Sequence, residues 1–269
     1  MVAINYQSGL IDQEVECLGV IYIGDRETGK THLVLELANP RGNYVKVTYP
    51  DYQYLKGILY LPEQGKTRAT DDKQAIYEQY IEVNVTLPTG EKMIALDWLD
   101  TPGEIWRKSW QDKQPDEWKG FLETIRKAEG IMLILPPYRD IIKPTGQVNK
   151  DDFITTKQWC NRFDRWLEFF QQDCPKIRHL LLCLNKADLL PIDLEEEARK
   201  LAFNPDFQPI TWQERDNYVF QRYFRPIHPQ INQLNRSIQG LTIRCFITSI
   251  YNRKLLELPW IYLGSHLAK

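Results

Sequence analysis

What this sequence lacks narrows its class before any motif is read. No stretch approaches the ~20 consecutive apolar residues that a membrane-spanning helix requires. The start Met1-Val2-Ala3-Ile4 carries neither a signal peptide nor a myristoylation glycine, and Ser265-His266-Leu267-Ala268-Lys269 is not a prenylation box. The five cysteines, Cys17, Cys160, Cys174, Cys183 and Cys245, are odd in number and show no C-x-x-C spacing. That excludes a disulfide framework and a zinc site of that spacing, and favours buried thiols in a reducing compartment. Charge of one sign is also missing: 34 Lys and Arg against 36 Asp and Glu leave −2, so no bulk nucleic-acid or membrane-surface footprint exists. Internal repeats and low-complexity segments are absent. Together these absences predict a soluble cytoplasmic protein with no membrane anchor.

What is present is an ordinary globular composition, 43% hydrophobic and 26% charged, in 269 residues, enough to bury a full core. Eight Trp and fourteen Tyr suit broad aromatic contact surfaces. The most informative stretch is Gly24-Asp25-Arg26-Glu27-Thr28-Gly29-Lys30-Thr31, followed by His32. It reads G-x-x-x-x-G-K-[ST], the P-loop pattern. In that pattern backbone N–H groups cradle phosphates, the lysine reaches the terminal phosphates and the hydroxyl ligates Mg²⁺. The context fits: Val15 to Ile23 is apolar and β-branched enough for a buried strand, and Thr31 to Leu37 continues as a helix that Pro40 stops.

Beyond it, Tyr44 to Thr48 reads as a short strand and 51–72 as a long loop without period. Ile81, Val83, Val85 and Leu87 alternate with polar residues, Pro88 to Glu91 turns the chain, and Met93 to Leu99 returns, which predicts a β-hairpin. A helix opens at Pro115 with Trp118, Phe121, Leu122 and Ile125 on one face, ended by Gly130. Strands over Ile131–Leu135, His179–Leu184 and Leu241–Ile247 are short apolar runs of the kind buried on both faces. Between them lie a polar loop from Pro136 to Asp152, a helix with Trp159, Phe163, Trp166, Leu167 and Phe170 on its core face, and a mostly helical 191–240. In that last stretch Thr211 and Glu214 form a capping box, and Glu195 to Glu197 read as a solvated face. A short helix from Pro259 to Leu267 ends the chain. Alternating strands and helices predict an α/β fold, a mainly parallel sheet with one antiparallel strand and helices on both faces.

Motifs follow four of these strands, at the carboxyl ends where doubly wound sheets bind ligands. After the first comes the Gly24 to Thr31 loop; after the hairpin, Asp100-Thr101-Pro102-Gly103; later Asn185-Lys186-Ala187-Asp188; last, Thr248-Ser249-Ile250. In order and placement these resemble the P-loop GTPases of the Ras-like and translation-factor-like branch, as a divergent bacterial-type member, over Val15 to about Ile250.

The resemblance implies a single GTPase domain over 1–269 with insertions near 51–70, 136–151 and 191–240, binding GTP or GDP with Mg²⁺. It implies that residues 25–32 surround the phosphates (Asp25, Arg26, Glu27, Thr28, Gly29, Lys30, Thr31, His32), with Thr31 on Mg²⁺. Asp100 resembles the aspartate that holds Mg²⁺ through water, and Gly103 the glycine whose N–H senses the γ-phosphate. Asn185, Lys186 and Asp188 resemble the guanine-reading motif, in which the carboxylate accepts from the purine N1–H and exocyclic amine, a donor pair adenine does not offer. Ser249 and Ile250 resemble the loop that braces that aspartate. Thr67 and Thr70 compete for the threonine that completes the Mg²⁺ shell and reports the γ-phosphate, Thr70 being preferred.

Departures from the family pattern carry meaning. Where the family places a water-orienting glutamine stands Glu104, whose charge beside the γ-phosphate implies slow hydrolysis, or a GTP-binding adaptor that does not hydrolyse. Arg26 stands where many members carry glycine, and it hinders an arginine finger from a partner, touches phosphate itself, or is simply a solvent-exposed arginine. Trp106 and Trp110 suggest an effector surface beside the loops that sense the nucleotide. A P-loop ATPase is the remaining alternative, disfavoured by Asp188.

Overall fold

The fold was described from a computed structural model, which covers residues 19–25, 27–61, 66–67, 77–100, 108–143, 148–174, 176–206 and 210–267. Val20–Gly24 forms β1, all five residues buried, and Lys30–Ala38 forms α1. Residues 15–18, where the sequence begins this strand, lie outside the described set. β2 is Val45–Tyr49, and then the structure departs from the sequence reading: part of the predicted 51–72 loop is a helix, α2, over Tyr52–Leu59. Asp51 caps it by accepting from the Tyr54 N–H at 2.9 Å, and buried Leu55 and Leu59, with Tyr52 and Ile58 partly buried against the core, anchor it inward. Eight residues interrupted by Gly57 are too short a run to announce a helix by periodicity.

Short β3 (Tyr60–Leu61) and β4 (Lys66–Thr67) pair with each other, and β5 (Tyr77–Leu87) and β6 (Gly90–Asp100) form the expected hairpin, longer than its alternating core. Gly90 turns it at φ +116°, a conformation that favours glycine. Next come α3 (Lys108–Lys113), α4 (Pro115–Ile125) and β7 (Gly130–Leu135). Gly130 therefore opens a strand and does not close the helix before it: a Cβ there would press on Leu267 and Val20. α5 (Thr156–Asp173) starts earlier than its aromatic face, at a capping box of Thr155 and Gln158. Its Trp159, Phe163, Trp166 and Phe170 are core, as their spacing predicts.

β8 (His179–Leu184) leads to α6 (Leu194–Leu201) and α7 (Trp212–Val219), whose capping box Thr211 and Glu214 is formed. α7 runs through a π-helical turn, Phe220–Phe224, and a 3-10 turn into α8 (His228–Ser237). The acids of α6 are not one solvated face, because Glu197 is buried and its carboxylate accepts from the Tyr218 hydroxyl at 2.8 Å. β9 is Thr242–Ile247, and α9 is Arg253–His266, six residues longer at its start than the sequence suggests. Pro259 sits inside α9, where it misleads a boundary reading, while the true start is capped by Asn252 accepting from the Leu255 N–H. α9 is buried from Leu255 to Gly264, which is why it carries no amphipathic stripe.

The main sheet has the order β2-β5-β6-β1-β7-β8-β9, parallel from β6 through β9, with β5 antiparallel to both its neighbours. This is the α/β architecture with one antiparallel strand. Register aligns Gly24 with Ile134, Leu135 with Leu184, and Leu184 with Ile247, so the parallel strands end together at one sheet edge. Arg253 and Glu257 fasten α9 to the opposite half. The Arg253 guanidinium donates to the Glu36, Leu37 and Val45 carbonyls, and Glu257 accepts from the Asn43 and Tyr44 N–H groups and from Arg253 Nε at 2.7 Å. Among the described residues no helix is long and apolar enough to cross a membrane, and the described cysteines are all free.

Candidate functional site

The loop between β1 and α1 is shaped by its glycines. Gly24 ends β1 so close to β7 that any Cβ would collide with the Ile134 carbonyl. Glu27 and Gly29 take left-handed backbone angles, φ +63° and +88°, which curl the chain back on itself. Thr28, fully buried, donates from its hydroxyl to the Asp25 carbonyl at 3.0 Å. Lys30, also buried, turns its ammonium back into the curl and donates to the carbonyls of Gly24 at 2.8 Å and Asp25 at 3.0 Å. Gly29 caps α1 without a side-chain acceptor, and the first turn holds no acid. The N–H groups that open α1 thus keep the partial positive charge of a helix start, an arrangement receptive to anions. Thr31 stands half-buried in that first turn, and His32 is exposed beyond it.

Asp25 runs against this electropositive setting. Its burial raises the carboxyl above the ordinary aspartate range, an effect that Arg162 and Arg165 on α5, and then Lys30, partly offset. Those two arginines escaped the sequence reading, although their i, i+3 spacing on α5 puts them on one face. The His32 imidazole is held below its usual value, first by desolvation and then by the charge of Lys186.

Lys186 belongs to the second loop, after β8, which is tied directly to the first. Asn185, 3% exposed, donates from Nδ2 to the Thr28 carbonyl at 2.7 Å. Lys186, itself at φ +60°, donates to the Glu27 carbonyl at 3.1 Å. The Asn185 Oδ1 accepts from the Thr248 hydroxyl at 3.3 Å, which brings in the loop after β9. There the Ser249 hydroxyl donates to Asp188 Oδ1 at 2.6 Å, and Ser249 Oγ accepts from the Tyr251 N–H at 3.1 Å. Asp188 is exposed, with one oxygen held and the other turned to no described partner. Ile250 contributes its side chain to the core, which leaves its backbone to any ligand. Thr248 was named by the sequence as part of this loop, but its tie to Asn185 was not foreseeable from spacing.

Three of the sequence-predicted loops thus meet at one sheet edge, the first two through side-chain to backbone bonds and the third through side-chain to side-chain bonds, and Asp25, Glu27, Thr28, Gly29, Lys30, Thr31, His32, Asn185, Lys186, Asp188, Ser249 and Ile250 lie on them. Asp100 closes β6 opposite Tyr77 at that same edge. Its side chain, the side chain of Thr67, and Arg26, Thr70, Gly103, Glu104 and Trp106 lie outside the described residues. Among the described residues no group of three or more His, Cys, Asp or Glu is placed to hold a metal ion. No protein-family model matches the chain, and no curated protein matches it.

Proposed function

We propose that this chain is a guanine-nucleotide-binding switch that hydrolyses GTP slowly to GDP and phosphate with Mg²⁺. The observation that carries the reading is the braced carboxylate of Asp188. Ser249 holds one oxygen at 2.6 Å, in a loop pinned through Asn185 to the Gly24 to Thr31 curl. A fixed, exposed carboxylate beside an anion-receptive curl matches a ligand with paired N–H donors at one end and phosphates at the other, and guanine nucleotides have that form.

The residues present fit the nucleotide. The helix start and Lys30 supply donors for phosphate oxygens, and Lys30 would exchange carbonyls it already holds for the β- and γ-phosphates. Thr31 and Asp100 would take Mg²⁺, with Thr70 completing the shell. GTP, when bound, would supply the γ-phosphoryl group that water attacks, with GDP as the leaving group. The protein's contribution is positioning and charge neutralisation by backbone N–H groups and the Lys30 ammonium. Glu104 would face the attacking water as a hydrogen-bond acceptor in place of an amide, and its negative charge keeps the rate low. The loops around Thr70 and Gly103 would then report the nucleotide to effector or regulator proteins.

Displacement of a fluorescent GDP analogue tests the ligand class: GTP and GDP compete and ATP does not. Asp188→Asn weakens guanine binding, because its amide N–H₂ meets donors where the carboxylate accepted. ATP displacing the probe as well as GTP does would overturn the reading. A second reading, a GTP-binding adaptor without turnover, is favoured by Glu104. Single-turnover hydrolysis with and without Mg²⁺ separates the two.

A further inference from the structure

A second polar cleft lies on the sheet itself, away from the loops above. It has a volume of about 290 Å³ and sits where β1, β5 and β6 meet the end of α4, with Ile21 and Ala95 as its floor. Asp97 projects into it from β6, flanked in register by Ile21 of β1 and Tyr80 of β5. It is the one charged residue in the run Met93 to Leu99, so an acid stands where the strand otherwise carries apolar residues and alanine. Lys127, just past α4, lines the same cleft. Among the described residues neither Asp97 nor Lys127 forms a side-chain hydrogen bond or ion pair, with each other or with anything else. Burial raises the Asp97 carboxyl above the ordinary aspartate range, so this acid is held without compensation. The Thr124 hydroxyl on the wall donates to the Gly120 carbonyl at 3.2 Å, which leaves its oxygen to accept.

One unpaired acid, one unpaired base and a hydroxyl acceptor around an apolar floor define a ligand with both charges. We propose that this cleft binds a small ω-amino acid, a zwitterion with its amine on Asp97 and Thr124, its carboxylate on Lys127, and the hydrocarbon segment between them over Ile21 and Ala95. Each charge of such a ligand completes a half-made ion pair, and the site keeps its net neutrality. A simple cation would satisfy Asp97 and leave Lys127 repelling it. A simple anion would do the reverse. This site is independent of the nucleotide reading, since none of its residues belongs to the loops that would hold phosphate or base.

Three probes of one length separate these cases: 6-aminohexanoate, hexylamine and hexanoate. Each is titrated into the whole protein while the Asp97 side-chain carboxyl and the Lys127 backbone amide are followed by NMR. The expected result is saturable binding of 6-aminohexanoate, at least about tenfold tighter than either singly charged probe, with the Asp97 carboxyl titrating at lower pH in the complex. Asp97→Asn weakens 6-aminohexanoate about tenfold or more, and the exposed Lys127→Ala brings it down to the affinity of hexylamine. Folding of both variants is checked by thermal melting against wild type, and Lys127→Ala carries the test alone if Asp97→Asn does not fold. Absence of saturable shifts with 6-aminohexanoate, equal affinity for it and hexanoate, or indifference to Lys127→Ala would overturn the proposal.

Discussion

Asn185 gives the sharpest test of how the three loops are joined, and it needs no ligand. Its Nδ2 bond to the Thr28 carbonyl, 2.7 Å long, is buried at both ends, with Asn185 3% and Thr28 0% exposed. Asn185→Ala removes the donor and leaves that carbonyl without its partner, which costs roughly 1–3 kcal/mol. Loss of the 3.3 Å bond from Thr248 adds about 0.5 kcal/mol. The sum, about 1.5–3.5 kcal/mol, corresponds to a fall in Tm of roughly 3–14 °C for a chain of this size. Gly29→Ala should cost about as much for two reasons. An L-residue at φ +88° loses roughly 1–2 kcal/mol, and its Cβ would stand 2.7 Å from Asn185 Nδ2, forcing the same bond to break.

The two changes therefore cannot add. With Asn185 already cut back to alanine, the new methyl at position 29 meets nothing nearer than Lys186 Cε at 3.9 Å, and only the backbone term remains. Urea unfolding of nucleotide-stripped wild type, both single variants and the double variant should give a double-mutant cost about 1–2 kcal/mol below the sum of the singles. Thr248→Val should cost under about 1 kcal/mol. If Asn185→Ala were within 0.5 kcal/mol of wild type, or the pair strictly additive, the loops would not be joined as described.

Further predictions concern electrostatics and the loop after β9. Ser249→Ala frees Asp188 from a charge-assisted bond and should weaken GDP binding about tenfold with little change in Tm, measured by the off-rate of a fluorescent analogue. His179, bonded through Nδ1 to the Tyr262 hydroxyl at 2.9 Å, has its pKa pushed down to about 4 by desolvation and by His266, Arg244 and Arg178. A histidine depressed from 6.5 stabilises the fold above that pH, and this contribution is lost as pH falls toward 4; His179→Gln should flatten that part of the stability profile. Asp25 has the opposite sign. Its raised pKa means the buried charge weakens the fold as pH rises through the native value, so Asp25→Asn should stabilise at pH 7 and lose that advantage below about pH 4, read from urea midpoints.

How much of this was legible beforehand depended on how local the signal was. β7 and β8 announced themselves as unbroken apolar runs bounded by glycine, proline and polar residues, and the hairpin as strict alternation. The curl between β1 and α1 was readable because Gly24 and Gly29 are needed for contacts with Ile134 and Asn185 that permit no side chain. α2 was hidden, since it is short, is interrupted by Gly57, and draws its stability from the Asp51 cap and from apolar residues whose burial depends on distant packing. α9 was hidden for the opposite reason: buried on all sides, it has no polar face to set its period, and Pro259 offered a false start. Glu197 looked solvated because two neighbouring acids are, and only the fold brings Tyr218 to it. The partners of Asn185 and Asp188, although both residues stood out in the sequence, lie 157 and 61 positions away, and no local pattern encodes such pairings.

The account rests on the identity of the ligand at the joined loops. Purified protein should be denatured in acid, and the released small molecules identified by chromatography and mass spectrometry. GDP or GTP is expected near one equivalent per chain from wild type and almost none from Lys30→Ala, which lacks the ammonium proposed to hold the phosphates. Adenine nucleotide from wild type, or guanine nucleotide retained equally by Lys30→Ala, would contradict it.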